Sequence, residues 1–176
     1  MKNLGIILLV TLIWIGCSSD DPSSEAFAQI DVVTGLDLYD ENGNGIGTWE
    51  NPNHNPGPLR IFPVPAGNNI ILSSQIIITD LWIVPASCDK DNTSRDIRSL
   101  SMDIEYDENE ISSNSISYVP ITNFNNQLAL NLEGSTPGFY KIFVKTPNGD
   151  FHWQNIYYDP GLVPLVDFSA LDDTCN

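Results

Sequence analysis

Gly138-Phe139-Tyr140-Lys141-Ile142-Phe143-Val144-Lys145 and Phe151-His152-Trp153-Gln154-Asn155-Ile156-Tyr157-Tyr158 flank a connection that contains Pro147-Asn148-Gly149-Asp150. Both runs are rich in β-branched and aromatic side chains, which fit a pleated, partly buried surface. Asn and Gly tolerate positive φ, so the connection reads as a hairpin turn. Side chains alternate across a strand, so Phe151, Trp153 and Asn155 share one face and His152 and Gln154 the other. Outward from this hairpin the same kind of run recurs. Ile30 to Tyr39, Gly45 to Glu50, Leu59 to Val64 (interrupted by Pro63), Ile70 to Leu72, Gln75 to Val84, Leu100 to Tyr106 and Leu128 to Leu132 read as short strands. Asp40-Glu41-Asn42-Gly43-Asn44-Gly45 is a dense turn signal. Residues 51–58 hold three Pro, each lacking a donor, and are read as irregular. Residues 86–98 read as a loop, and no segment after the first 16 residues sustains a 3.6-residue period. About seven to nine short strands punctuated by Gly, Pro and Asn predict an all-β chain folded as a single antiparallel β-sandwich.

The N-terminus is different in kind. Lys2 is followed by an apolar stretch from Leu4 to Ile15, and Ile15-Gly16-Cys17 closes it. That stretch is shorter than the roughly 20 residues a membrane span needs. Basic start, short apolar run and small-residue end resemble a bacterial lipoprotein signal peptide. The resemblance implies cleavage before Cys17, lipid on Cys17, and work outside the cytoplasm. Several acyl chains, at about 0.8 kcal/mol per buried methylene, would anchor stably. Residues 17–28 begin Cys17-Ser18-Ser19-Asp20-Asp21 and lack apolar periodicity, so they read as an acidic flexible tether. This start is similar to that of surface-exposed lipoproteins of the Bacteroidetes. It implies an outer-membrane lipoprotein, periplasmic or surface-exposed, with the cell surface slightly favoured. The expected organisation is a leader over 1–16, a tether over 17–28 and a β-sandwich over 29–176.

The chain has 176 residues and a formal net charge of −16; loss of Lys2 with the leader leaves 160 residues at −17. A domain near 150 residues buries about 68–70% of its unfolded surface, so one core suffices. A surface so acidic repels phosphate backbones, which argues against nucleic-acid partners. With Cys17 assigned to lipid, Cys88 and Cys175 remain, and an oxidising compartment favours their pairing. Two unpaired thiols are the alternative. The absence of a Cys-x-x-Cys pair and the presence of only His54 and His152 argue against zinc.

Ile61-Phe62-Pro63-Val64-Pro65-Ala66-Gly67-Asn68-Asn69-Ile70, together with Leu128 to Leu132, Gly138 to Val144 and Asn155-Ile156-Tyr157, resembles the C-terminal sorting domains of the type IX secretion system. In those domains a Tyr-Pro-Asn-Pro start leads into strands that end in a hairpin and a last strand. The resemblance covers roughly residues 59–158 and implies an immunoglobulin-like or sorting-domain-like β-sandwich. Val64 stands where the family has Asn, a long segment separates Val84 from Leu128, and the chain runs past the last strand to Cys175. The fold is carried over and the secretion role is not.

Three features carry candidate chemistry. Asp40, Asn42, Asn44 and the Ile46 carbonyl sit at alternate positions, as in a calcium loop, with Glu50 near the place of a bidentate carboxylate. Asn-Gly repeats are equally good hairpin turns. The acidic run Asp103, Glu105, Asp107, Glu108 and Glu110 would put its first three members on one strand face, either as a second cation site or as a solvated face. Trp49 and Trp153 are candidates to stack on sugar rings, or else core packing. There is no Gly-x-Ser-x-Gly elbow, His pair or phosphate loop. The expected function is a non-catalytic, lipid-anchored β-sandwich that presents a binding or structural surface to an unknown protein or glycan partner. A calcium-stabilised accessory module or a glycan-binding module is the alternative, and a hydrolase is a distant third.

Overall fold

A computed structural model describes residues 30–52, 57–89, 106–122, 124, 126–161 and 169–175. The leader, the tether, Cys17, His54 and residues 100–105 lie outside the described residues. The chain is all-β. Ten strands are described: β1 (Val32–Val33), β2 (Gly35–Tyr39), β3 (Gly45–Glu50), β4 (Leu59–Phe62), β5 (Asn69–Ser74), β6 (Asp80–Cys88), β7 (Ser117–Pro120), β8 (Gln127–Asn131), β9 (Gly138–Lys145) and β10 (Phe151–Tyr158). Two short helices join them, α1 (Glu108–Asn114) and α2 (Ser169–Thr174).

The central sheet runs β1-β6-β9-β10, with β7 also on β6. Its hairpin is the one read from the sequence, with Lys141 opposite Asn155 and Phe143 opposite Trp153. β6 lies antiparallel on the other side of β9, pairing Trp82 with Phe143 and Val84 with Lys141. β1 joins β6 in parallel at Ser87 and Cys88. The second sheet is β4-β5-β8, and β2-β3 forms a separate hairpin. The Gln154 side chain stands in for a peptide group between the sheets. It accepts from the Ile61 amide at 2.8 Å and donates to the Ile61 carbonyl at 3.1 Å. Buried and doubly bonded, it satisfies backbone groups that β4 would otherwise leave bare.

Between the sheets lies the main core. Ile61, Ile70, Leu72 and Leu130 of one sheet cluster with Leu81, Ile83, Ile142, Val144 and Ile156 of the other. The opposite face of the central sheet is buried too. There Trp82, Val84, Phe143 and Trp153 cluster with Ile30 and Ile111, and Tyr106 packs on them. Burial on both faces explains why Gly138–Lys145 reads as an apolar run, interrupted inside only by Lys141, rather than as an alternation.

Three expectations are corrected. The strand expected over Gln75 to Val84 begins at Asp80, and Ile77 is 69% exposed. The Ser74 hydroxyl bonds both the amide and the carbonyl of Ile76, which turns the chain out of β5. Cys88 ends β6 instead of lying in a loop. The acidic run is not one strand face. Asp107 caps α1, its carboxylate accepting from the Asn109 amide at 2.6 Å, and Glu108 and Glu110 lie within the helix. Asp103 and Glu105 are outside the described residues.

Candidate functional site

The Asp40 loop is closed by its own hydrogen bonds. Asp40 Oδ1 accepts from the amides of Asn42 at 2.9 Å and Asn44 at 2.8 Å, and Oδ2 accepts from Asn44 Nδ2 at 2.8 Å. These bonds, led by the Asn44 side chain, lower the Asp40 carboxyl below its ordinary range. Glu50 is not nearby. It pairs with Gly35 at one end of the β2–β3 hairpin, while Gly45 pairs with Tyr39 at the other. Five residues at about 3.3 Å each separate the two ends. Ile46 is an exposed strand residue. Asp40, Asn42 and Asn44 are therefore brought together as a turn, and Glu50 does not join them. Among the described residues no group of three or more His, Cys, Asp or Glu is arranged to hold a metal.

Neither tryptophan proposed for glycan stacking offers a face to solvent. Trp153 is 1% exposed and Trp49 is 8% exposed. Trp49 stacks on Phe139 with centroids 5.9 Å apart, and its indole N–H donates to Asp172 at 3.2 Å. It thereby ties the β2–β3 hairpin to α2. Tyr106 meets Trp153 and Phe143 edge-on at 4.8 and 5.0 Å. Burial, then the charge of Glu110, raises the Tyr106 phenol.

Cys88 and Cys175 are bonded, with Cα atoms 5.0 Å apart and a sequence separation of 87. The bridge holds α2 to the last residue of β6. Beside it lies a cleft of about 380 Å³ lined by Ala86, Ser87, Phe139, Tyr157 and Thr174. Burial, with Asp159 adding, raises the Tyr157 phenol, against a hydrogen bond from Thr174 that lowers it.

Two features went unread in the sequence. The first is an exposed apolar pair at the edge of the central sheet, Ile116 (54% exposed) and Tyr118 (53%). β7 pairs with β6 from Asp80↔Pro120 to Ile83↔Ser117. Ile116 lies in the bend just before β7, its amide donating to the Ile83 carbonyl at 2.9 Å, and Tyr118 is the second residue of the strand. Tyr118 is held firmly: its hydroxyl donates to Asp80 at 2.7 Å and its ring lies 5.4 Å from Trp82. That bond raises the Tyr118 phenol. Only the alternation of Ile116-Ser117-Tyr118-Val119 signalled it. The second is Lys141, fully buried at the centre of the sheet. Its position in the middle of an apolar run was the available signal. At the far end of β9, Lys145 bonds Glu108 at 2.5 Å and lies 5.9 Å above the Phe151 ring, clamping α1 to β9.

Comparison with protein-family models, with curated proteins and with solved structures returned no match. No described helix is long and apolar enough to cross a membrane.

Proposed function

We propose that the chain is a non-catalytic, lipid-anchored module held outside the cytoplasm, and that it presents the β7 edge to a protein partner. The observation behind this reading is the exposed Tyr118 on edge strand β7, with exposed Ile116 in the bend that leads into it. A tyrosine already fixed by a hydrogen bond and an aromatic contact loses little freedom on binding, the property of residues that dominate interfaces. An extended partner segment laid along β7 would add backbone bonds to these side-chain contacts. The leader and Cys17 supply the address, and the acidic tether supplies reach.

The test is site-specific photo-crosslinking in the native cell. A photoreactive residue replaces Ile116 or Tyr118, and a third variant carries it at Asn148 in the hairpin turn. Discrete adducts from 116 and 118, with none from 148, are expected. Equal labelling at all three positions, or none at 116 and 118, sinks the β7 reading. Cys17→Ser is expected to abolish incorporation of labelled fatty acid; retained incorporation sinks the anchor.

A further inference from the structure

One row of side chains on the outer face of the central sheet is Val84, Lys141 and Asn155, contributed by β6, β9 and β10 in register. Lys141 is 0% exposed and Asn155 1% exposed. The row before it is Trp82, Phe143 and Trp153, and the row after it Ala86, Phe139 and Tyr157. Lysines are almost never fully buried unless paired. Among the described residues Lys141 Nζ has no hydrogen-bond partner. An ammonium in that position carries its full desolvation cost. Burial pushes Lys141 down to about 7, against the charge of Asp31, which raises it. A large fraction of the side chain is then a neutral amine near neutral pH, with a lone pair for nucleophilic attack.

The group opposite is an amide. Asn155 Nδ2 donates to the Gly35 carbonyl at 3.0 Å, which fixes the carboxamide on the β10 side of the row. Directly opposed residues in an antiparallel pair have Cβ atoms about 4.5–5.5 Å apart, a gap the lysine stem spans with slack. Holding an amine and a carbonyl carbon in one dry site is the condition under which an otherwise slow condensation proceeds.

We propose that Lys141 and Asn155 join in an intramolecular isopeptide bond that covalently staples β9 to β10. The Nζ lone pair attacks Cγ of Asn155 and a C–N bond forms. The Cγ–Nδ2 bond breaks, a proton passes from Nζ to the departing nitrogen, and ammonia leaves. An amine and a primary amide become a secondary amide and ammonia, with no redox change and no co-reactant. The Asp31 carboxylate is near enough for its charge to act on Nζ. The Gly35 carbonyl holds the leaving NH₂ group. The product removes a buried positive charge and leaves a neutral amide among Trp153, Phe143 and Val84. The inference does not depend on the lipid anchor or on the β7 surface.

The test is denaturing mass spectrometry of the purified full chain, followed by proteolytic mapping. The wild-type protein is expected to be lighter by one ammonia than the mass calculated for its disulfide-bonded chain with the N-terminal processing it carries. Its digest should contain one branched peptide joining Lys141 to Asn155. Lys141→Arg and Asn155→Ala should each restore the full mass. A wild-type chain at full mass, with residues 141 and 155 in separate linear peptides, overturns the proposal. So does an ammonia loss mapped to Asn42, Asn44 or Asn148, where Asn-Gly succinimides lose the same mass. Because the wild-type digest decides by itself, variants that fail to fold leave the answer intact.

Discussion

The two faces of the β6-β9-β10 sheet are both buried, and they are buried by different means. The inner face is aliphatic and meets a second sheet, Ile142 and Val144 against Ile70 and Leu72. The outer face is covered by short local pieces. Ile111 of α1 and Tyr106 cover one end, and Trp49 and the disulfide-held α2 lie near the other. Lys141 and Asn155 sit between. A sheet-on-sheet core is cooperative because every residue touches several strands. A cover built from seven- and six-residue helices depends on a few anchors, and isolated helices that short are not stable alone. The outer face is therefore where local opening, and chemistry, are expected.

The largest effect should come from the anchor at the α2 end. Closing a loop between positions 87 residues apart removes about 4–5 kcal/mol of chain entropy from the unfolded state. Cys175→Ser should lower the urea midpoint accordingly, and reduction of the wild type should match it. Hydrogen exchange should rise first around Phe139, Tyr157 and α2. An unchanged midpoint in the reduced protein would show that α2 contributes nothing to the cooperative unit.

Core truncations compare the faces directly. Ile142 and Ile111 are both 0% exposed, and each loses about 2–5 kcal/mol on replacement by Ala. Ile142→Ala should reduce protection throughout both sheets. Ile111→Ala should release α1 and Tyr106 while the β4-β5-β8 sheet keeps most of its protection. Identical exchange patterns for the two variants would mean that the two faces unfold as one.

The inner face was the more legible of the two. The β9–β10 hairpin, β3 and most of β4, β5 and β8 were readable because pattern and turn chemistry agreed over each run. α1 was not, because in seven residues only Ile111 is apolar and buried, so no period exists to detect. The same holds for α2, where Leu171 is the buried apolar anchor. The pairing of Cys88 with Cys175 followed from there being two thiols left after Cys17. Trp49 and Trp153 were left open between sugar stacking and core packing because an aromatic residue on a strand has the same pattern whether its face meets solvent or a helix, and both are buried. Lys141 passed unread since charge in an apolar run carries no information about its neighbour across the ladder.

The third comparison is electrostatic: an aliphatic face is indifferent to pH, and a face holding a lysine is not. Asn155→Ala keeps the Lys141 amine free to titrate. Its folded pKa of about 7 lies below the ordinary 10.5. Between those values the unfolded chain holds the proton and the folded chain does not, so stability contributed by this group rises with pH across that window. Urea midpoints of the Asn155→Ala variant should climb from about pH 7.5 to about pH 9.5, relative to a variant that also carries Lys141→Met. The condensed wild-type chain has no amine left there and should track the double variant. A wild type that climbs alongside Asn155→Ala argues for a free amine.

The smallest effect is expected at the Asp40 loop, which belongs to neither face. A divalent cation needs six to eight hard oxygens. Here the carboxylate of Asp40 already accepts three hydrogen bonds from Asn42 and Asn44, and Glu50 lies at the far end of the strand. Those bonds use three of the roughly four acceptor positions of the carboxylate, which leaves an ion few ligands in the loop as it stands. Excess Ca²⁺ and chelator should therefore give the same melting temperature, and Asp40→Ala should lower it slightly under both conditions. A Ca²⁺-dependent rise of several degrees, lost in Asp40→Ala, would show that the loop reorganises around the ion. The hairpin holding Trp49 against Phe139 would then be a metal-dependent part of the outer cover.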